Sequence, residues 1–303
     1  MVNLTAVFET TKHLIDSGAV KSEHRPYLGM SGLGHPCARA LWFQFRWAYT
    51  EMHSKRLKRL FARGHREEKH VIALLESIGY TVNGPELIKA ILKKTGFVQT
   101  VDATTGDMQI EMINGFGHIK GHNDGVVEGV IEASKTPHLL EIKTAADAKF
   151  KKFKKINNLA KSHPMYYAQT QLYMHHLKLT RCLWYVVNKN DDDIHVERIR
   201  YNRGEAEDLL RRGEHILLST CPPRQPFPKT YFECKWCGAY DVCWKDVPMN
   251  KSCRSCEYAE IAHDGKWNCG SPAGRGMIIP IEFQRVGCGE YKALVCKDLT
   301  ETE

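Results

Sequence analysis

The sequence predicts an α/β protein, with a mixed central sheet and flanking helices followed by a small cysteine-rich, zinc-ribbon-like C-terminal module. Three observations predict it. Leu57, Leu60, Phe61, Val71, Leu75 and Ile78 recur at helical spacing. From Asp107 the period shortens to the alternation of strands. After Tyr231 periodicity fades while Cys and Gly accumulate, so metal rather than apolar packing should organise that region.

Taken in order, residues 1–80 read as mostly helical, and Gly79 with Gly84-Pro85 stops the helix that reaches Ile78. Met108 to Ile113 alternates, Asn114-Gly115 signals a hairpin, and Phe116 to Ile131 continues as strand broken by glycines. Leu139 to Lys143 is a further short strand. A lysine-rich stretch, Lys149 to Lys155, precedes a helix expected over Pro164 to Leu179. Cys182 to Val187 is apolar, with branched and aromatic residues, as a buried strand requires, and Ile194 to Ile199 is another. Glu205 to Leu218 returns to helical spacing, and Cys221 to Pro228 is a linker. The expected division is a core over residues 1–245 and a cysteine-rich module over 246–303.

Composition narrows the function classes. With 303 residues, 43% hydrophobic and 26% charged, the chain has ordinary globular composition. No apolar run approaches the ~18 residues of a membrane span, and Met1 to Thr11 carries acid early, unlike a signal peptide, so a cytoplasmic protein is expected. No G-x-x-x-x-G-K-[ST] loop is present, which excludes an ATPase or helicase acting alone. The net charge of +8 suits a polyanionic partner without proving one. Eleven cysteines, an odd number lacking a secretory context, point to metal rather than a disulfide framework.

The chemistry concentrates at Asp124 and, seventeen residues later, Glu141-Ile142-Lys143. Alternate strand residues share a face, so Glu141 and Lys143 point together while Ile142 faces the core, and a hairpin would bring Asp124 to the same face. Two carboxylates there would hold Mg²⁺ or Mn²⁺, hard cations that prefer oxygen, with the Ile142 carbonyl a further candidate ligand. Lys143 would position water or steady charge on a phosphate. Taken alone, Glu-x-Lys is a common cross-strand surface pair. Its company changes that reading: Glu68 falls on the apolar stripe of the upstream helix, where a carboxylate needs a partner, with Glu67 its competitor. Gln169 and Tyr173, four apart on the downstream helix, would hydrogen-bond a phosphate or support the carboxylates.

Glu68, Asp124, Glu141-Ile142-Lys143 and Gln169-x3-Tyr173, on an α-β-β-β-α-β order, resemble the PD-(D/E)XK nuclease superfamily, and within it the RecB-like exonucleases and the CRISPR-associated spacer-acquisition nucleases. The resemblance covers about residues 30–245 and implies a restriction-endonuclease-like core. Two departures stand out: Asn123 replaces the motif's proline, and the helix position often held by histidine is best matched by Glu68, with Glu67 and His65 as alternatives. The resemblance implies a DNA exonuclease acting on single strands or duplex ends in recombination, repair or end processing, alongside recombination or replication proteins. A compact member without a helicase suits a phage or mobile element.

Cys234-x2-Cys237-x5-Cys243 supplies three thiolates, and Cys37 is the distant fourth. The set is similar to the iron–sulfur staple of the same nucleases, which implies a [4Fe–4S] cluster; zinc on the same cysteines, with His35, is the alternative. Cys253-x2-Cys256-x12-Cys269-x18-Cys288 has zinc-ribbon-like spacing for Zn²⁺, with His263 and Cys296 competing for the last position. Cys182, Cys221 and Cys296 show no pattern. Lys149, Lys151, Lys152, Lys154 and Lys155, interleaved with Phe150 and Phe153, would contact DNA backbone while an aromatic stacks on a base. The rival readings are a non-catalytic, metal-stabilised nucleic-acid-binding protein and an RNA-directed nuclease.

Overall fold

The computed structural model describes residues 4–22, 24–102, 106–226 and 228–296. Met1 to Asn3, part of the N-terminal reading above, and Phe227 of the linker lie outside them. The alternating segments become two sheets with helices around them, a mixed α/β architecture. The larger sheet has the order Ile194–Arg200, Arg181–Asn188, His138–Ala145, Gly125–Glu128, Thr81–Val82. Its two central strands, His138–Ala145 and Arg181–Asn188, run parallel, and their burial is nearly continuous because both faces are covered. A parallel pair needs a long crossover, which helices Asp147–Ile156, Leu159–Ser162 and Pro164–Leu177 supply.

The second sheet runs Leu28–Gly29, Ile119–His122, Met108–Asn114, Val98–Val101. Its hairpin turns at Asn114-Gly115, as the dipeptide signalled. The stretch from Phe116 to Ile131 is not one broken strand, however. It pairs into the second sheet as far as His122, then crosses to the larger sheet at Gly125. Two amides hold this crossing: buried Asn123 Oδ1 accepts from Ile110 N at 2.9 Å, and Asn83 Oδ1 accepts from Val126 N at 3.0 Å.

Two further expectations change. The helix Lys55–Ser77, capped by Ser54, buries Val71 and Leu75 against Val127, Leu140, Ile142 and Tyr185 of the larger sheet. Leu60, Phe61 and Ile78 are exposed, so the apolar stripe covers sheet along only part of the helix. Pro85, read as a stop, instead opens the helix Pro85–Thr95, where its fixed φ fits and its missing N–H costs nothing.

The cysteine-rich region is a three-stranded antiparallel sheet, Ala259–Ile261, Trp267–Cys269 and Met277–Ile278. Its Trp267 is fully buried beside Phe45 and His118, within the same apolar core as Trp42, Ile119 and Leu217. Gly117 and Gly265 meet backbone to backbone: a Cβ on Gly117 would lie 2.3 Å from Gly265 N, and Gly265 N donates to Phe116 O at 2.9 Å. Cys221 and Cys296, which no spacing paired, form a disulfide with their Cα atoms 5.4 Å apart.

Candidate active site

Register builds the site. Gly125 pairs with Leu140 in the antiparallel ladder, so Asp124, one step before it, arrives beside Glu141. The Asp124 Oδ2 accepts from Ile142 N at 2.8 Å and lies 3.6 Å from Lys143 Nζ. Lys143 Nζ also donates to Glu141 Oε1 and, at 3.2 Å, to Ile142 O. The helix Pro164–Leu177 packs over this strand and places Gln169 Nε2 2.5 Å from Glu141 Oε1. Tyr173 sits one turn on, buried, and only a glycine at 121 admits it: a Cβ there would stand 2.7 Å from Tyr173 Cε1.

Glu68 completes the group, and Glu67 does not. Burial and then the Asp124 charge push the Glu68 carboxyl up to about 7, with His65 Nδ1 3.7 Å away as its nearest cation when protonated. Glu67 acts instead on Tyr185. Burial and the same Asp124 charge push Glu141 up to about 8. For Lys143, burial opposes the charge, but Asp124 and Glu141 together outweigh it and hold the amine firmly as ammonium. Three carboxyls facing one ammonium cannot all ionise cheaply, so protons are retained into the neutral range unless another cation joins them.

Whether a divalent ion suits these residues can be tested on Glu141. Its side chain is 1% exposed, and its Oε2 is buried with no hydrogen-bond partner. A buried carboxyl oxygen with no partner is costly, and hard-oxygen donors from Asp124 and Glu141 suit Mg²⁺ or Mn²⁺. As they stand, no group of three or more His, Cys, Asp or Glu among the described residues is arranged to hold a metal ion; Lys143 bridges Asp124 and Glu141 instead. A cleft of about 540 Å³ opens over Glu68 and Asp124, bordered by Asn83, Lys69, Lys89 and Gln109. Those four neighbours went unread. Only Asn83-Gly84, a turn dipeptide, carried any signal.

Several expected roles change with burial. Gln169 and Tyr173 are too enclosed to meet a phosphate; Gln169 supports Glu141. The lysine stretch is a helix, Asp147–Ile156, and Phe150 and Phe153 face the core, so neither can stack on a base. Lys149 donates to Tyr166 OH at 3.0 Å, Lys151 pairs with Asp147 at 2.8 Å and Lys154 with Asp193 at 2.7 Å. Lys152 and Lys155 are exposed.

The thiols gather into two groups. Cys37, Cys234, Cys237 and Cys243 line one cavity of about 40 Å³, and burial together with the neighbouring thiols raises Cys37 and Cys237. Cys253, Cys256, Cys269 and Cys288 line another of about 20 Å³, where burial and then the three other thiols raise Cys253. His263 packs against Phe116, and Cys296 is bound to Cys221.

No family model and no curated protein matches the chain. Among solved structures, SSO0001 aligns at TM-score 0.40 and 15% identity, over 82% of this chain and 98% of that one. An alkaline exonuclease, LHK-Exo, from Laribacter hongkongensis aligns at TM-score 0.36 and 15% identity, over 64% and 87%. Its complex with dAMP gives 0.34 and 15%, over 63% and 86%. Likeness this distant decides neither fold nor activity. No helix among the described residues is long and apolar enough to cross a membrane.

Proposed function

We propose that this chain is a Mg²⁺- or Mn²⁺-dependent deoxyribonuclease of the PD-(D/E)XK type, acting as an exonuclease on DNA ends or single strands. The observation that carries it is the meeting of Asp124, Glu141 and Lys143, with one Glu141 oxygen left unpaired. Asp124 and Glu141 would hold the ion, with the Ile142 carbonyl adjacent. Bound there, it supplies Lewis-acid polarisation of a phosphate and a more acidic water. Lys143, held as ammonium, donates to a non-bridging phosphate oxygen and stabilises the charge that grows as water adds to phosphorus. Glu68, its carboxyl raised to about 7, would accept the proton of the attacking water. The P–O bond to the departing sugar then breaks, and solvent protonates the leaving oxygen. Gln169 fixes the Glu141 rotamer, and Tyr173 packs behind it.

The thiol groups complete the reading. Cys37, Cys234, Cys237 and Cys243 would hold a [4Fe–4S] cluster, and Cys253, Cys256, Cys269 and Cys288 a Zn²⁺ ion; sharing one cavity in each case supports the two donor sets. The opposing reading, a non-catalytic nucleic-acid-binding protein, draws on the Lys143–Glu141 ion pair. Incubation of the purified chain with end-labelled linear and circular DNA and RNA, with and without Mn²⁺, separates them. Metal-dependent loss of linear DNA that stops in Lys143→Ala is expected. Undiminished cutting by that variant would remove this site from consideration.

A further inference from the structure

A second cleft, of about 590 Å³, lies away from the carboxylates, where the strand pair Ala19–Ser22 and Glu51–Ser54 meets the cysteine-rich region. Lys21, His24, Lys251 and Arg285 line it over a wall of Trp47 and Tyr49. Among the described residues, which leave out Glu23, no carboxylate lines it. Lys21, Lys251 and Arg285 are exposed. The nearby Glu51 stands 3.8 Å from His24 Nδ1 and 3.7 Å from His53 Nε2, outside the lining.

The charge behind the wall matters as much as the charge in front. Arg254 is 1% exposed, stacks 4.0 Å from the Trp47 ring, and donates to Pro26 O at 2.8 Å, Phe45 O at 3.2 Å and Gln284 Oε1 at 2.9 Å. Arg46 donates to the carbonyls of Arg254 and Ala259 at 3.2 and 3.3 Å, and its Nε has no partner. Both buried guanidiniums thus bond to neutral acceptors, and Arg285 reaches the same Trp47 ring at 4.9 Å. Burial, then the charges of Arg46 and Arg285, lower Arg254 to about 9, so these cations repel one another within the fold.

Ser22 joins this cleft to a third cavity of about 730 Å³, lined by Arg25, Lys58, His53 and His65 together with one acid, Glu51, and His65 lies 3.7 Å from Glu68. Arg25 and Lys58 thus extend the line of basic side chains from the junction toward the carboxylate site, past Glu51. We infer that the junction cleft is a phosphodiester-binding site that grips the backbone of a nucleic-acid strand at a distance from the carboxylates. The grip is electrostatic, since Trp47 is 5% exposed and already stacked by arginine. This deepens the nuclease reading and rests on it for the strand's destination, but not for the grip itself.

The test is binding, not cutting. Full-length protein with Ca²⁺ in place of Mg²⁺ is titrated by fluorescence anisotropy into fluorescein-labelled 40- and 8-nucleotide DNA across a salt series. In the double variant Lys21→Glu, Lys251→Glu, the 40-mer should bind about 10-fold more weakly, with a salt slope shallower by roughly 1–2, while the 8-mer changes little. An unfolding midpoint equal to the parent's ensures that the comparison is of binding alone. Equal affinity and slope for the 40-mer in both proteins would overturn the inference. Calorimetry with inorganic phosphate distinguishes the source: phosphate binding abolished by the variant while 40-mer affinity stays intact would assign a small-anion site and overturn the strand grip. Weakened 40-mer binding in a protein that never cleaves DNA would sustain this site and sink the nuclease alone.

Discussion

The carboxylate site and the two thiol groups solve the same problem, bringing like side chains together, by opposite means. Asp124, Glu141 and Lys143 sit on or beside neighbouring strands of one sheet, positioned by ladder register, and the ammonium offsets much of the carboxylates' mutual repulsion. The thiols come from short helices, loops and, for Cys269, a strand end, with Cys37 almost two hundred residues from Cys234. Burial and neighbouring thiols raise Cys37, Cys237 and Cys253 alike. The difference teaches which site the sheet itself assembles and which would depend on a bound metal. Ladder register holds Asp124 beside Glu141, whereas the thiol regions would gain a crosslink only from the metal proposed for them.

The sharpest way to break this contrast is Cys37→Ser. If a cluster closes that long loop, its loss should cost on the order of 5 kcal/mol, read as a lowered unfolding midpoint and rapid proteolysis. An unchanged midpoint would show that the thiol cavity holds nothing. Asp124→Asn should do the reverse, reducing cleavage by about 10²–10³-fold while the melt stays cooperative. Next comes pH. Glu68 and Glu141 hold protons in the fold up to about 7 and 8, above the ordinary carboxylate range, so the unfolded chain releases them first. Stability from these groups is full in acid and is lost as pH climbs through 7 and 8, and a divalent ion reverses the loss. Mn²⁺ should therefore raise the melting temperature more at pH 8.5 than at pH 6; equal increments would uncouple the carboxyls from metal. Smaller still, Gln169→Ala should slow cleavage about 10-fold with DNA binding retained, because the Glu141 rotamer loosens. Glu67→Gln should leave the rate within about twofold, against a large loss in Glu68→Gln.

Much of this was legible in the chain. Alternation revealed the strand around Met108, a continuous apolar run that around Cys182, and Glu141-x-Lys143 shared a face because strand period leaves no other choice. The approach of Asp124 needed only a hairpin, although the chain reaches it by changing sheets, which periodicity cannot register. Where reading failed, local pattern met a tertiary answer. Pro85 can open a helix as well as end one, and only packing decides between them. Phe150 and Phe153 looked like stacking groups because a charged stretch hid their three-residue spacing, which faces the core. The Cys221–Cys296 bridge had no spacing to announce it. Arg46 and Arg254, charged residues in an apolar setting, gave no hint of burial, because their neutral partners come from Phe45, Ala259 and Gln284.

The contact between Gly117 and Gly265 makes two loops, 148 positions apart, answerable to each other. Each has a φ that side chains avoid, +86° and +70°, and each blocks the space where the other would carry a methyl group. A single alanine at either place would act as a wedge, prising the Trp267 hairpin off its seat beside Phe45 and opening a seam through the hydrophobic interior. The tail of this protein is thus seated by the absence of two side chains, and its attachment can be loosened by a change as small as one carbon.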